Sequence, residues 1–475
     1  MVKISKEQVS EKIDSRFHNK LSSSQYEIKT IPARELLSHR RVDIYVKMKL
    51  AEAWLNSDSE REKYYQNLYL ETIKIFTRNS FVEPGDSNKS SAQDFVDSFK
   101  ALFFELQENY DEDLHYIPIS GNNTPLDGAH RIAILALLNR NVKAVVVNEV
   151  EAEYGLKHFE KHGANIDLIQ KLATIALDFD STLRVAVVWP NGVHKYKDII
   201  KEYGDALVYT YSLNLSKNGI NTLCAIAYKN EEWTGKSGEA WQGARRKGKH
   251  CFKFGQPTKF MIFETRGEVR DIELKESIRK VCGGGKHSIH STDNVEETKD
   301  IVKITLMPFA KVILNKLRLK TVAKCINSLD IDYKNQSIFT GSIALELFSM
   351  REANDIDVIS IDANVKHSEE VGLHNDYMHW YPSDLILYFE DPSLTYNIMG
   401  YRFISLNEVL GFKTNRDENK DKRDIRAINY FKAKNGIVSE DYKMKFKDKL
   451  YFFKLSLKKR RKELKKKIKS AFKSN

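Results

Sequence analysis

Apolar and polar positions follow different rhythms in different parts of the chain. Near the start, "LAEAWLNSDSEREKYYQNLYLETIKIF" spaces apolar residues as a helix does, with Leu68, Ile73, Ile75 and Phe76 among them. "SAQDFVDSFKALFFELQENY" predicts a further helix, with Ser91 placed to cap it. Between them, "EPGDSNKSSAQ" has the Gly, Pro and Ser content of a loop. "YIPIS" and "VKAVVVNEV" are short strand patterns that bracket "TPLDGAHRIAILALL", a turn followed at once by an apolar helix. From 151 to about 305 the pattern is β-rich: "TLRVAVVWP", "DALVYTYSLNL", "NTLCAIAYK" and "KFMIFET" are apolar runs separated by polar turns. "KVCGGGKHSIHSTDNVEETKDIVKITL" follows as a glycine-rich loop, a polar stretch and a helix. From about 308 to 435 helix and strand alternate, and from about 440 one long basic helix is expected. No fixed-period repeat occurs. The pattern predicts a mixed α/β (α+β), multidomain chain: a domain over 1–150, a middle domain over 151–307, a third over 308–438 and a helical tail over 439–475.

Composition narrows this picture. The 475 residues are 41% hydrophobic and 11% aromatic, enough for sizeable cores and too much for a disordered chain. No apolar run approaches the ~20 residues of a membrane-spanning helix. The opening "MVKISKEQVSEKIDSRF" is charged throughout and lacks the apolar core of a secretory leader. The cysteines Cys224, Cys251, Cys282 and Cys325 form no CxxC pair, which argues against a zinc site or disulfide framework. A cytoplasmic location is expected.

The net charge of +11 is local. From Lys454 onward, eleven Lys and Arg face the single acid Glu463, leaving about +1 for the rest. Leu450, Phe453, Leu457, Leu464 and Ile468 place an apolar stripe along the same stretch. Such a helix suits the anionic surface of a membrane, giving a peripheral placement; a nucleic-acid contact explains the charges but leaves the stripe only packing on the body, and a solvated tail fits the same residues.

The turn in "TPLDGAHRI" gathers a carboxylate, a glycine, an imidazole and a guanidinium. Asp127 is placed to cap the helix, and Gly128 lets backbone approach an anion closely. Arg131 supplies a planar fork for phosphate oxygens and His130 a titratable donor. A capped helix with Arg131 in a surface ion pair fits the same spacing. "IPI...LDGAHRI" resembles the phosphate loop of the ParB/sulfiredoxin-like superfamily, over roughly the first 150 residues. The resemblance implies a nucleotide-phosphate site, in the family's kinase members with an early acidic residue as base. Glu35 is the match offered for that base, and Arg41, Asp43 and Lys47 are further polar candidates. Ala129 stands where sulfiredoxins carry their cysteine, so sulfinic-acid repair is not expected. The helical insertion between 48 and 110 resembles the lengthened form found in bacterial surface-polysaccharide gene products.

A second constellation lies in "FTGSIALELFSMREANDIDVIS". A strand bearing Asp355-Ile356-Asp357 points both carboxylates to one side, a pair able to hold Mg²⁺. Gly341-Ser342, at a helix start, offers N–H groups and a hydroxyl to a triphosphate. The spacing resembles the nucleotidyltransferase superfamily, which implies a third carboxylate on a later strand. "SDLILYFE" is expected to be that strand, with Asp384 or Glu390 as the carboxylate. Arg351, Lys413, Lys420 and Asp424 are the remaining polar candidates.

In the middle, Gly235-Lys236-Ser237 is not a P-loop, because the first glycine of that motif would fall at Asn230. Lys236, Arg245, Arg246, Lys247 and Lys249, interleaved with Trp233 and Trp241, suit an anionic or sugar ligand, or a solvated loop. "GGGKHSIHSTDN" suits a phosphate grip or a hinge; His287 and His290 lack the further ligands a zinc site needs.

Together these features lead to the expectation of an Mg²⁺-dependent phosphoryl- or nucleotidyltransferase using ATP or another nucleoside triphosphate. The resemblances add a glycan or small-molecule acceptor in surface-glycan assembly. The alternatives are a nucleic-acid module, partition-like or toxin-like, and a catalytically inactive nucleotide sensor.

Overall fold

The helical pattern over 50–76 is interrupted at 56–58, giving helices Val42–Leu55 and Ser59–Phe76. Asp58 starts the second, its carboxylate accepting from the Arg61 N–H at 3.0 Å. Helix Ala92–Glu108 begins as expected: the Ser91 hydroxyl caps it, and Asp94 reaches back to the Ser91 N–H at 2.8 Å. The computed structural model describes residues 2–82, 89–235, 237–238, 240–362, 371–437 and 461. The basic tail, Lys236 and most of the loop after Val82 therefore lie outside the described residues.

The chain is of mixed α and β class and packs as two units. The first comprises Met1–Asn315 and Asp384–Tyr401; the second comprises Lys316–Ser383 and Arg402–Asn475. Among the described residues no helix is long and apolar enough to cross a membrane.

The first unit holds two four-stranded sheets. One runs in the order Val2–Ser5, Gln25–Pro32, Asn141–Val146, Ile117–Ile119, antiparallel except for the last pair. Helix Val42–Leu55 is buried almost all round, against Ser59–Phe76, Ala129–Leu137 and Ile166–Phe179. The other sheet is antiparallel throughout: Leu207–Leu213, Thr258–Glu264, Leu183–Val188, Ile289–Ser291. "NTLCAIAYK" is not a strand. It lies in helix Lys217–Ala227, started by Ser216, whose hydroxyl accepts from the Gly219 N–H at 3.2 Å. A short apolar run satisfies both periods, and here the cap decides. The polar stretch after the triple glycine contains the short edge strand Ile289–Ser291, ahead of helix Val295–Thr305. "SDLILYFE" is also not a strand, since Leu387–Glu390 is a single helical turn.

The second unit is built on a sheet ordered Val371–Leu373, Ile356–Ser360, Ser337–Thr340, Tyr401–Ile404. The short helix Ile343–Leu347 leaves the third of these, and helices Leu406–Arg416 and Asp421–Lys434 complete the unit.

Candidate functional site

A polar cleft is found among the described residues of each unit. That of the first unit has a volume of about 580 Å³ and includes the turn at Asp127–Arg131 in its lining. Gly128, not Asp127, stands at the head of helix Ala129–Leu137. Its φ of +75° favours glycine, and a Cβ there would meet Ile117 Cδ1 at 2.6 Å. Asp127 makes no cap; its carboxylate faces Arg16 Nη2 at 3.4 Å. The His130 ring packs against Phe99 and shares a 2.9 Å hydrogen bond with the Tyr69 hydroxyl. Burial, reinforced by Lys47 and Lys89, pushes the imidazole well below its ordinary pKa, so it is neutral at pH 7. Arg131 is held below its usual value by burial, which Asp127 opposes, and its Nη1 has no hydrogen-bond partner among the described residues.

Beneath this turn lies a closed ion cluster. Arg41 grips Asp43 with two bonds of 3.0 and 3.1 Å and donates to the Pro125 carbonyl at 2.6 Å. Lys47 reaches the same carboxylate at 2.7 Å. Burial alone would raise the Asp43 carboxyl, but the two cations hold it far below the usual range. These three residues border the cleft, yet Arg41 and Asp43 are committed to each other, and their first role is to fix the turn through Pro125. Glu35 is exposed on the short helical turn Ala33–Leu36 and does not border the cleft. Its expected role as base is withdrawn, since it cannot meet a reactant held there.

Residues with no motif to announce them complete the lining. Arg16, Arg78 and Lys89 join Arg41, Lys47 and Arg131, so among the described residues six cations and three carboxylates, Asp14, Asp43 and Asp127, line the cleft. The rings of His158 and His162 lie 4.1 Å apart at the same cleft, and burial together with His162 lowers His158 to about 4. The excess of cations suits an anion.

The second unit's cleft, of about 890 Å³, gathers Gly341, Ser342, Asp355 and Asp357 as expected, with Arg351, Arg416 and Lys420 around them. Asp355 immediately precedes strand Ile356–Ser360 and Asp357 is the second residue in it. The Ser342 hydroxyl donates to Asp355 at 3.2 Å. The Asp357 carboxylate sits between Gly341, just past strand Ser337–Thr340, and Gly372 of strand Val371–Leu373. Gly341, at φ +65°, leaves room where a Cβ would collide with it, and at Gly372 a Cβ would come within 3.1 Å. Burial and the neighbouring Asp355 push Asp357 up to about 6, against the pull of Lys413, Arg416 and Lys420.

Two expectations change here. The helix after Ser342 has only five residues, so its dipole is slight, and side-chain cations must carry the attraction for phosphate. Asp384 falls in the first unit beside Glu60, where Arg61 and Tyr65 also bind Glu390 at 2.8 and 2.5 Å. Neither carboxylate borders the Asp355–Asp357 cleft, so the third-carboxylate expectation fails for both. Lys413 is locked between Asp421 at 2.9 Å and Asp424 at 3.0 Å. Asp424 is in turn held by Arg351 through bonds of 2.8 and 3.0 Å. Lys413 and Asp424 therefore brace the wall, while the exposed Lys420 pairs only loosely at the surface, with Glu418 at 2.8 Å.

No family model, no curated protein and no solved structure matches this chain. What the clefts can do is read from their chemistry alone. Among the described residues no group of three or more His, Cys, Asp or Glu is arranged to hold a metal ion. The Asp355–Asp357 pair still fits Mg²⁺, which takes one or two carboxylates and completes its shell with phosphates and water. A like-charged pair, one member of which resists ionisation, gains directly from a hard cation. In the middle of the chain Arg245, Arg246 and Lys249 are exposed, Trp241 is buried, and Lys247 is the only described cation of that cluster against aromatic rings. Arg16, Arg78, His158 and Gly372 were missed because they reach the clefts from distant segments. Only a pairing of strands or helices, which local spacing does not encode, could have revealed them.

Proposed function

We propose that this protein is an Mg²⁺-dependent nucleotidyl- or phosphoryltransferase whose chemistry is centred on Asp355 and Asp357. One observation carries the reading: two adjacent carboxylates share a cationic cleft, and the inner one is held up to about 6 by burial and by its neighbour. When bound, Mg²⁺ would neutralise charge on the transferring phosphate. The chain's own residues do the positioning. Ser342 orients Asp355, and Gly341 and Gly372 admit the Asp357 carboxylate between their strands. Arg351, braced by Asp424, and Arg416, braced by Asp421, present guanidinium groups to the phosphates. Such positioning and charge neutralisation are most of what phosphoryl and nucleotidyl transfer require.

In the same reading the first unit's cleft binds nucleotide phosphates, with Arg131 Nη1 as the unsatisfied donor. His130, neutral and tied to Tyr69, serves as a hydrogen-bonding group and not as a cation. The resemblances supply the setting: a cytoplasmic enzyme of surface-glycan assembly, acting on a glycan or small-molecule acceptor at an anionic membrane surface. The test is label transfer by the full chain with Mg²⁺ and nucleoside triphosphates labelled at the α- or γ-phosphate. Transfer that disappears in Asp357→Asn supports the reading. Absence of transfer with every nucleotide and acceptor tried, or an Asp357→Asn variant as active as the parent, overturns it.

A further inference from the structure

A third polar cluster lies at the edge strand Ile289–Ser291, and neither cleft uses it. His290 is the middle residue of that strand and pairs with Val187. Its ring packs 4.6 Å from Tyr228, and its buried Nε2 has no hydrogen-bond partner among the described residues. A buried polar atom left unpaired is costly, so it calls for a reason. The groups around it supply one. Lys247 Nζ lies 4.5 Å from the Tyr228 ring centre and 5.8 Å from that of Trp233, and donates to the Lys286 carbonyl at 2.9 Å. The Nε of Arg279 and the Nδ1 of His287 are buried and likewise unpartnered. The turn through Gly283 and Gly285, with φ of +68° and +52°, brings Lys286 and His287 back toward the strand.

The charges do not balance. Arg279 has an ion pair with Glu276, while Lys247 and Lys286 have no carboxylate partner among the described residues. Of the other acids nearby, Glu231 accepts from the Trp233 indole N–H at 3.2 Å and Asp293 is paired with Lys275 at 2.9 Å. Burial lowers the Lys247 ammonium below its ordinary pKa; the thiols of Cys251 and Cys224 oppose this, and Arg279 and Lys286 add to it. Burial holds His290 at about 3, so its ring is neutral and one nitrogen donates. Trp233 is 47% exposed beside these cations, an indole face open to a flat or ring-shaped group.

We infer that Lys247, Arg279, Lys286, His287 and His290 form a binding site for a phosphate monoester whose sugar or base ring stacks on Trp233. The phosphate dianion meets the unbalanced cations, and the orphaned ring nitrogens gain the partners they lack. The site lies apart from Asp127–Arg131 and from Asp355–Asp357, and does not depend on the activity proposed for them.

The test starts from the full chain carrying Arg131→Ala, without Mg²⁺, and binding is assigned to this site by its response to substitution of Lys286 and Trp233. Inorganic phosphate, glucose 1-phosphate and AMP are titrated by calorimetry and by tryptophan fluorescence. Both ring-bearing probes, or one of them, should bind more tightly than inorganic phosphate, and the tighter one identifies the source. Lys286→Gln alters an exposed side chain, so the fold is kept; it should weaken every probe about ten-fold or more. Trp233→Ala should weaken the ring-bearing probes several-fold and leave inorganic phosphate unchanged. No binding up to about 10 mM, or affinities indifferent to both substitutions, would overturn the site.

Discussion

Burying Asp357, with Asp355 beside it, makes the second cleft respond to pH. The folded state raises the Asp357 carboxyl from an ordinary 3.8 to about 6, so it holds its proton more tightly than the unfolded chain does. The group's contribution is complete below pH 4 and is lost as pH rises through about 6. Asp357→Asn should therefore raise the melting temperature at pH 7 without Mg²⁺ and change it little at pH 4. An equal shift at both pH values would contradict this cause. Arg131 invites the opposite experiment. Among the described residues its Nη1 has no hydrogen-bond partner, so Arg131→Ala should cost thermal stability no more than about 1 kcal/mol while costing nucleotide binding about 1.5–3 kcal/mol. Calorimetry with ATP, beside a denaturant melt, separates the two quantities.

Among the elements, Gly128 shows how a helix start can carry a site. The residue is left-handed at φ +75° and abuts Ile117, so Gly128→Ala adds both backbone strain and a clash with the sheet. A loss of about 1–3 kcal/mol is expected, with anion binding weakened in parallel because Arg131 moves with the turn; urea unfolding measures the first. The elements also show what local pattern could and could not reveal. Ser91 and its helix were legible because a cap and an apolar stripe agree. The strands Leu183–Val188 and Thr258–Glu264 were legible from long apolar runs with polar ends. "NTLCAIAYK" and "SDLILYFE" were not, because an apolar run of few residues fits both periods and its packing decides. Likewise the Gly341–Ser342 turn and the Asp355–Asp357 pair could be found from spacing. The glycine on the far side, Gly372, could be found only once its strand was seen to pair with Ile356–Ser360.

At the scale of the molecule, the segment Asp384–Tyr401 returns the chain to the first unit. There Glu390 accepts from Arg61 and from the Tyr65 hydroxyl, Asp391 pairs with Lys171 at 3.3 Å, and the Pro392 carbonyl accepts from Gln170 at 3.3 Å. A fragment ending at Asn315 would leave these partners unmet. It should melt several degrees below the first transition of the intact chain, since each buried group left unpaired costs about 1–3 kcal/mol. A fragment as stable as the parent would show the returning segment to be dispensable.

That return also sets a timetable for synthesis. The first unit cannot be completed when residue 315 emerges from the ribosome, because its last piece is encoded after most of the second unit's sheet. At ~5–20 residues per second the nascent chain waits roughly 4–17 s for that piece. During that interval Tyr65 and Arg61 lack Glu390, and a newborn chain stalled between 315 and 401 is the species a chaperone or a protease would meet.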